Sequence, residues 1–179
     1  MHILTHYSFA TALKICDPYI PIQYFPLNTD QYICICTSSG FESKNWDYWQ
    51  ECIDLINPHL IQNKIQIVQV GLQNDIPIRG AVDLKGKTNY GQVNYVIKNC
   101  LLYLGNDSYG THIAGGFKRH LICLYSVNYK ELSKPYWCDP EKTILIESDR
   151  GGLKPSFSAQ ESPKTINMIK VETVANAAL

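Results

Sequence analysis

The chain has 179 residues, 45% of them apolar, which is enough for one domain with its own hydrophobic core and excludes an intrinsically disordered protein. Sixteen Lys and Arg residues balance sixteen Asp and Glu residues, and the lack of basic excess argues against a general nucleic-acid binder. No apolar run approaches the roughly 18 residues of a membrane span, and the start of the chain lacks the features of a signal peptide. Together with an odd number of cysteines, this predicts a cytoplasmic protein.

The first thirty residues predict an extended leader. Three prolines lie between Pro18 and Pro26, and this density precludes the interior of a helix there. We therefore expect a leader over residues 1–30, laid across a domain that residues 31–179 form.

Beyond the leader, short β-prone runs alternate with segments of helical periodicity. Strands are predicted at residues 31–36, 64–70, 82–84, 101–104, 120–125 and 143–146. Helices are predicted at residues 45–60, from an N-cap at Thr88, at about 111–117 and at 171–179, with Pro58 ending or bending the first. This order is typical of right-handed βαβ crossovers, and it predicts a three-layer α/β/α Rossmann-like domain with a mostly parallel sheet.

The first of two strand-to-helix turns carries residue types that suit a phosphate group. It contains Ser38, Ser39 and Lys44, so hydroxyl donors, helix-end N–H groups and one positive charge come together. Lys44 is one of only two basic residues among the first 63, so its position indicates either a specific role or ordinary surface scatter. The turn lacks the P-loop pattern, and an ordinary capped turn is the alternative interpretation.

The second turn follows the strand at residues 101–104. Asp107 and Ser108 can cap the next helix, and Gly110 permits close approach of the backbone. His112 falls in the first helical turn and can donate to an anion, although a structural histidine is the alternative. Because the carboxyl ends of parallel strands meet at one edge of a sheet, both turns are expected to face one ligand.

The second turn also resembles a family motif. Its pattern Gly-Asn-Asp-Ser-x-Gly-x-His-x-Ala over residues 105–114, followed by a strand at 121–126, is similar to the donor-site motif of glycosyltransferase family 9. That family includes the bacterial ADP-heptose lipopolysaccharide heptosyltransferases. Other stretches resemble the family in the same order, namely Ser38-Ser39 with Lys44 and Trp46, the strand at 67–71, and Asp83-Leu84-Lys85-Gly86-Lys87-Thr88. The resemblance covers roughly residues 32–126.

The resemblance implies the nucleotide-sugar-binding half of a two-domain GT-B glycosyltransferase, which transfers or formerly transferred a heptose-like sugar from a nucleoside diphosphate. The phosphates would be held by Ser38, Ser39 and Lys44. The diphosphate and the transferred sugar would be bound by Asp107, Ser108, Gly110 and His112, and residues 71–75 would lie near the nucleoside. The nucleotide sugar is a substrate, and no cofactor or metal is expected, because a positive charge and helix-end donors would stabilise the leaving diphosphate.

Two features depart from the family. Tyr109 stands where the family usually has glycine, and Gly110 follows one position later. Only about thirty residues precede the first motif strand, too few for the half that binds the acceptor and supplies the base. We therefore expect an acceptor-domain partner chain or a homo-oligomer. A non-catalytic Rossmann-like binding or structural interaction module is the alternative, and a flavodoxin-like or other αβα binding protein is a third possibility.

Overall fold

The computed structural model describes residues 1–179 and places six strands in a single sheet. The strands are β1 Tyr32–Cys36, β2 Gln66–Gln69, β3 Val82–Asp83, β4 Leu102–Asn106, β5 His120–Tyr125 and β6 Thr143–Glu147. Their order across the sheet is β3-β2-β1-β4-β5-β6, and every neighbouring pair is parallel. The predicted parallel α/β sheet is confirmed.

Helices join the strands and cover the sheet. They are α1 Ile3–Thr11, α2 Trp49–Gln62, α3 Tyr90–Asn99, α4 Tyr109–Gly116, α5 Lys130–Ser133 and α6 Val171–Ala178, with short 3-10 helices at Glu42–Lys44, Pro140–Lys142 and Thr165–Met168. None of these helices combines the length and the apolar character that crossing a bilayer requires.

The sheet is buried on both faces, which produces the three predicted layers. Ile33 and Ile35 of β1 point into a core shared with α2 and α6. Tyr32 and Cys34 of the same strand point the other way, into a core shared with α3 and α4. Because successive side chains of a strand alternate between faces, apolar residues at consecutive positions are what a doubly covered parallel sheet requires.

Helix α2 begins at Trp49 rather than at the predicted residue 45, and it does not end at Pro58. Pro58 lies inside the helix, which runs on to Gln62. The proline removes one backbone donor, but Leu60 beyond it is 5% exposed and packs in the core with Ile53 and Ile56. Burial of this apolar face outweighs the lost hydrogen bond.

The cap of α3 is Asn89 rather than the predicted Thr88. The Asn89 side chain accepts a hydrogen bond from the backbone N–H of Gln92, and the Gln92 side chain accepts one from the backbone N–H of Asn89. This reciprocal capping box satisfies two N–H groups that a helix start otherwise leaves without partners.

The leader is not extended throughout, because Ile3–Thr11 forms α1. That stretch contains no proline or glycine, and the His2 ring caps it by accepting a hydrogen bond from the N–H of Leu4. Residues 13–27 lack helix and strand. They cross α3, where Gln23 donates to the Gly91 carbonyl and Pro21 accepts from the Asn94 side chain.

A long loop between β6 and α6 packs on the first turn, at the end of β1. The Ser43 N–H donates to the Ala159 carbonyl at 3.0 Å, and the Ser43 hydroxyl donates to the Ser158 carbonyl at 2.6 Å. Lys164 donates to the Asn45 carbonyl at 2.9 Å. Three hydrogen bonds thus hold the turn after β1 from a segment more than a hundred residues away in sequence.

The capping box predicts a difference between two neighbouring substitutions. Asn89→Ala removes the side-chain acceptor and should lower the free energy of unfolding by about 1 kcal/mol. For a domain of this size that corresponds to a melting temperature about 2–4 °C lower. Thr88→Ala is the control and should leave the helix start intact. If thermal denaturation showed equal decreases in melting temperature for Asn89→Ala and Thr88→Ala, Asn89 would not be the cap.

Candidate functional site

The two turns singled out in the sequence lie side by side. Strands β1 and β4 are parallel neighbours at the centre of the sheet, with Cys36 opposite Gly105. Their carboxyl ends therefore deliver the turn after β1 and the turn after β4 to the same edge. Buried Asn106 joins the turns, because its side-chain N–H donates to the Thr37 carbonyl at 3.0 Å.

A cleft of about 590 Å³ opens between these turns, the end of β2 and the start of α3. Four predicted site residues line it, namely Ser38, Ser39, Ser108 and Gly110. Residues Gly71, Leu72, Gln73 and Asp75, the segment assigned to the nucleoside, line the same cleft. The cleft also contains Cys36, whose thiol stays protonated because burial raises its pKa to about 11.

The other three predicted residues form a charged cluster at the same edge. Lys44 Nζ lies 2.6 Å from Asp107 Oδ2, and the two side chains are 16% and 5% exposed. The same carboxylate oxygen accepts from Asn128 Nδ2 at 3.0 Å and from Ser133 Oγ at 3.3 Å. Asp107 is therefore held by three donors, and its contacts fix where the Lys44 ammonium group lies.

His112 stands at the exposed side of this cluster. Its Nε2 is 3.9 Å from Asp107 Oδ1, and 47% of its side chain is exposed. Desolvation of the ring lowers the pKa of His112, and the Lys44 charge acts in the same direction, while the Asp107 carboxylate partly opposes them. Because the pKa is lowered, the imidazole is mainly neutral at pH 7, and a negative charge placed near it would raise that pKa.

The start of α4 leaves several backbone donors without partners. The helix begins at Tyr109, two residues earlier than predicted, and its N-cap Ser108 has an extended backbone and makes no capping hydrogen bond. The first backbone N–H groups of a helix have no acceptor within the helix. The Ser108 hydroxyl has no hydrogen-bond partner either. These donors and the helix dipole give this end of the cleft the character of an anion site.

Gly110 is required by the side chain beneath it. A Cβ atom at this position would lie 2.1 Å from the hydroxyl of Tyr103, which is fully buried under the turn. Ser38 and Ser39 differ in availability, because the Ser39 hydroxyl already donates to the Phe41 carbonyl at 2.9 Å. The Ser38 hydroxyl makes no hydrogen bond within the chain and is half-buried.

Sequence reasoning missed the residues that support the cluster and the cleft rim. Asn128 and Ser133 hold Asp107, and Tyr90 lines the cleft. Asn128 follows β5, the neighbour of β4. The rule that the carboxyl ends of parallel strands meet at one edge of the sheet could therefore have identified it. No group of three or more His, Cys, Asp or Glu side chains is arranged to hold a metal ion.

The fold and the cleft define an α/β domain with a polar site at the carboxyl edge of a parallel sheet. Residues 11–165 match the model of glycosyltransferase family 9 (heptosyltransferase), which is most of the chain. The chain belongs to glycosyltransferase family 9, and the resemblance drawn from its motifs is confirmed. No curated protein sequence matches the chain significantly.

Solved structures with the same fold are about twice as long. ADP-heptose lps heptosyltransferase II of E. coli is 20% identical with a TM-score of 0.62, and the match covers 83% of this chain and 45% of that one. A family 9 glycosyl transferase from Veillonella parvula is 18% identical with a TM-score of 0.64, covering 97% and 49%. The E. coli heptosyltransferase WaaC, solved with ADP, is 15% identical with a TM-score of 0.61, covering 96% and 53%. The chain therefore spans about half the length of these structures.

The close packing under Gly110 predicts a cost for any side chain there. Gly110→Ala should lower the free energy of unfolding by about 1–3 kcal/mol, because the added methyl group overpacks against Tyr103. Tyr103→Phe in that background should recover part of the loss, since it removes the nearest atom. Gly40→Ala is the control, because a Cβ atom there meets nothing within 4 Å. Chemical denaturation measures all three, and a neutral Gly110→Ala would contradict the packing argument.

Proposed function

We propose that this chain binds a nucleoside diphosphate sugar in the cleft at the carboxyl edge of its sheet, as the donor-binding half of a glycosyltransferase. The observation that carries the proposal is the convergence of the two turns on one cleft of about 590 Å³. Ser38 and the α4 start line this cleft, and the Lys44 ammonium group is bonded to Asp107, the residue before Ser108.

In this proposal the diphosphate lies at the start of α4. The N–H groups of Tyr109 and Gly110 and the hydroxyl of Ser108 would donate to phosphate oxygens, and the helix dipole favours their negative charge. Lys44 would supply a full positive charge. An ammonium group has three donors, so Lys44 can contact a phosphate while it keeps its bond to Asp107.

The sugar would then lie toward His112 and the diphosphate would be the leaving group. As the bond to the anomeric carbon breaks, negative charge grows on the leaving phosphate oxygen. Donors that are already in place stabilise this charge at little reorganisation cost. Asp107 would act indirectly, by keeping Lys44 in place and by favouring a proton on His112.

The nucleoside would extend across the cleft from the α4 start toward Gly71 and Asp75, which line it as well. Asp75 Oδ2 accepts from the Leu72 N–H at 2.8 Å, which fixes this turn. The acceptor hydroxyl and the base that deprotonates it would come from another domain, a partner chain or a second copy of this chain. Transfer requires both to be positioned at the anomeric carbon.

The first test is the contribution of Lys44 to nucleotide binding. Lys44→Ala should weaken binding of a nucleoside diphosphate by about 1.5–3 kcal/mol, the range for hydrogen bonds to charged groups. Calorimetric titration with ADP, GDP and UDP measures the effect, with Lys154→Ala as a control that removes an exposed lysine from the long loop. Equal affinities of the wild type and Lys44→Ala would remove Lys44 from the site.

The second test is the protonation of His112. Because its pKa is lowered in the free protein, a bound diphosphate should raise that pKa and draw a proton onto the ring. Wild-type affinity should therefore exceed that of His112→Ala by a growing factor as the pH falls from 8 to 6. Comparing the two proteins at each pH cancels titration of the ligand itself. A constant ratio across this range would show that His112 does not meet the diphosphate.

A further inference from the structure

Two tyrosines form an aromatic rim on the cleft that the proposed function does not use. Tyr90 is the first residue of α3 and Tyr109 is the first residue of α4. Both line the cleft, and their ring centroids lie 5.3 Å apart in an edge-to-face arrangement. The two residues are 75% and 44% exposed, so both rings present apolar surface that the chain leaves uncovered.

One tyrosine of the rim, Tyr109, is anchored from below. The Tyr109 hydroxyl donates to the side-chain oxygen of Asn94 at 2.6 Å, and Asn94 is 1% exposed. The nitrogen of the same amide donates to the Pro21 carbonyl, so Asn94 is fixed at both ends. Partial burial raises the pKa of Tyr109 further above its ordinary value, so its hydroxyl is protonated at neutral pH and donates. Tyr109 is therefore preorganised, and Tyr90 rests against it.

Besides the two tyrosines, the cleft lining includes the apolar side chains of Val70, Leu72 and Val93. Sugar hydroxyls and phosphate oxygens gain little from such a surface, since they need hydrogen-bond partners. A flat heteroaromatic ring suits it, because its faces pack on aromatic and aliphatic side chains while its polar edge stays in water.

We propose that the Tyr90–Tyr109 pair is the surface on which the base of the bound nucleotide stacks, and that Asn94 is the positioning residue that sets the plane of Tyr109. The inference rests on the proposed function, since it concerns the nucleoside end of the same ligand. It makes the two tyrosine rings determinants of nucleotide affinity, distinct from the backbone N–H of Tyr109 that the proposed function assigns to the phosphates.

The test separates the base from the diphosphate. Tyr90→Ala should weaken binding of ADP about tenfold in calorimetry, within the range of base–aromatic stacking. Binding of inorganic pyrophosphate, which has no base, should be unchanged. Tyr90→Phe should retain the wild-type affinity for ADP, because it keeps the ring. Tyr19→Ala, at a tyrosine that is 92% exposed and does not line the cleft, is the matched control.

A spectroscopic readout distinguishes stacking from support of the fold. In the wild type the adenine ring protons of bound ADP should move upfield in the proton spectrum, because they lie over an aromatic ring. Tyr90→Ala should lose most of that displacement at saturating ADP. Equal ADP affinity in the wild type and Tyr90→Ala, or an equal loss for ADP and pyrophosphate, would overturn the stacking proposal alone. A wild-type protein that binds neither pyrophosphate nor ADP, GDP or UDP would overturn the proposed function and this inference together.

Discussion

The parallel pairing of β1 and β4 at the centre of the sheet is the constraint on which the site depends. Because these two strands run in the same direction, their carboxyl ends meet, with Cys36 opposite Gly105. The chain reverses its direction of travel across the sheet here, since β1 is followed by β2 on one side and β4 lies on the other. In open α/β sheets such a reversal separates the following loops and leaves a crevice between them. The cleft lies in that position.

Within this frame, a buried carboxylate organises the charged part of the site. Asp107 accepts from Lys44 in the turn after β1 and from Asn128 and Ser133 in the stretch after β5. A buried ion pair adds little net stability, because desolvation of the two charges offsets their attraction. The Lys44–Asp107 pair instead fixes a position, because it holds the Lys44 ammonium group at the edge of the sheet. The donors of Ser38 and of the α4 start stay free for a ligand.

Much of this architecture follows from sequence patterns, while the caps and supports do not. Apolar runs predicted all six strands, and strand β5 begins and ends at the predicted residues. The start of α3 does not follow from residue types alone, because Thr88 and Asn89 are both good caps and only the reciprocal bond with Gln92 decides between them. Helix α1 was missed because it has no buried residue and therefore no apolar stripe to reveal it.

The candidate site also has features that the sequence predicts and features that it does not. The residue types in the two turns indicated a phosphate site and resembled a known family, and family membership is confirmed. The separation of Lys44, Asp107 and His112 from the cleft-lining serines was not visible in the sequence, because it depends on rotamers and on which side of each turn a residue projects. The ligand roles of all seven residues stay predictions.

The hydrogen bonds from the long loop to the turn after β1 affect when that turn can fold during synthesis of the chain. Ser43 is synthesised early, yet its hydroxyl is bonded to Ser158, which is 115 positions later. During synthesis on the ribosome, this turn would leave the exit tunnel before strands β2 to β6, and therefore before its hydrogen-bond partners in the long loop. Closing so long a loop is entropically costly and comes late in folding. The nascent chain would thus complete its sheet before the turn that carries Lys44 acquired its final shape.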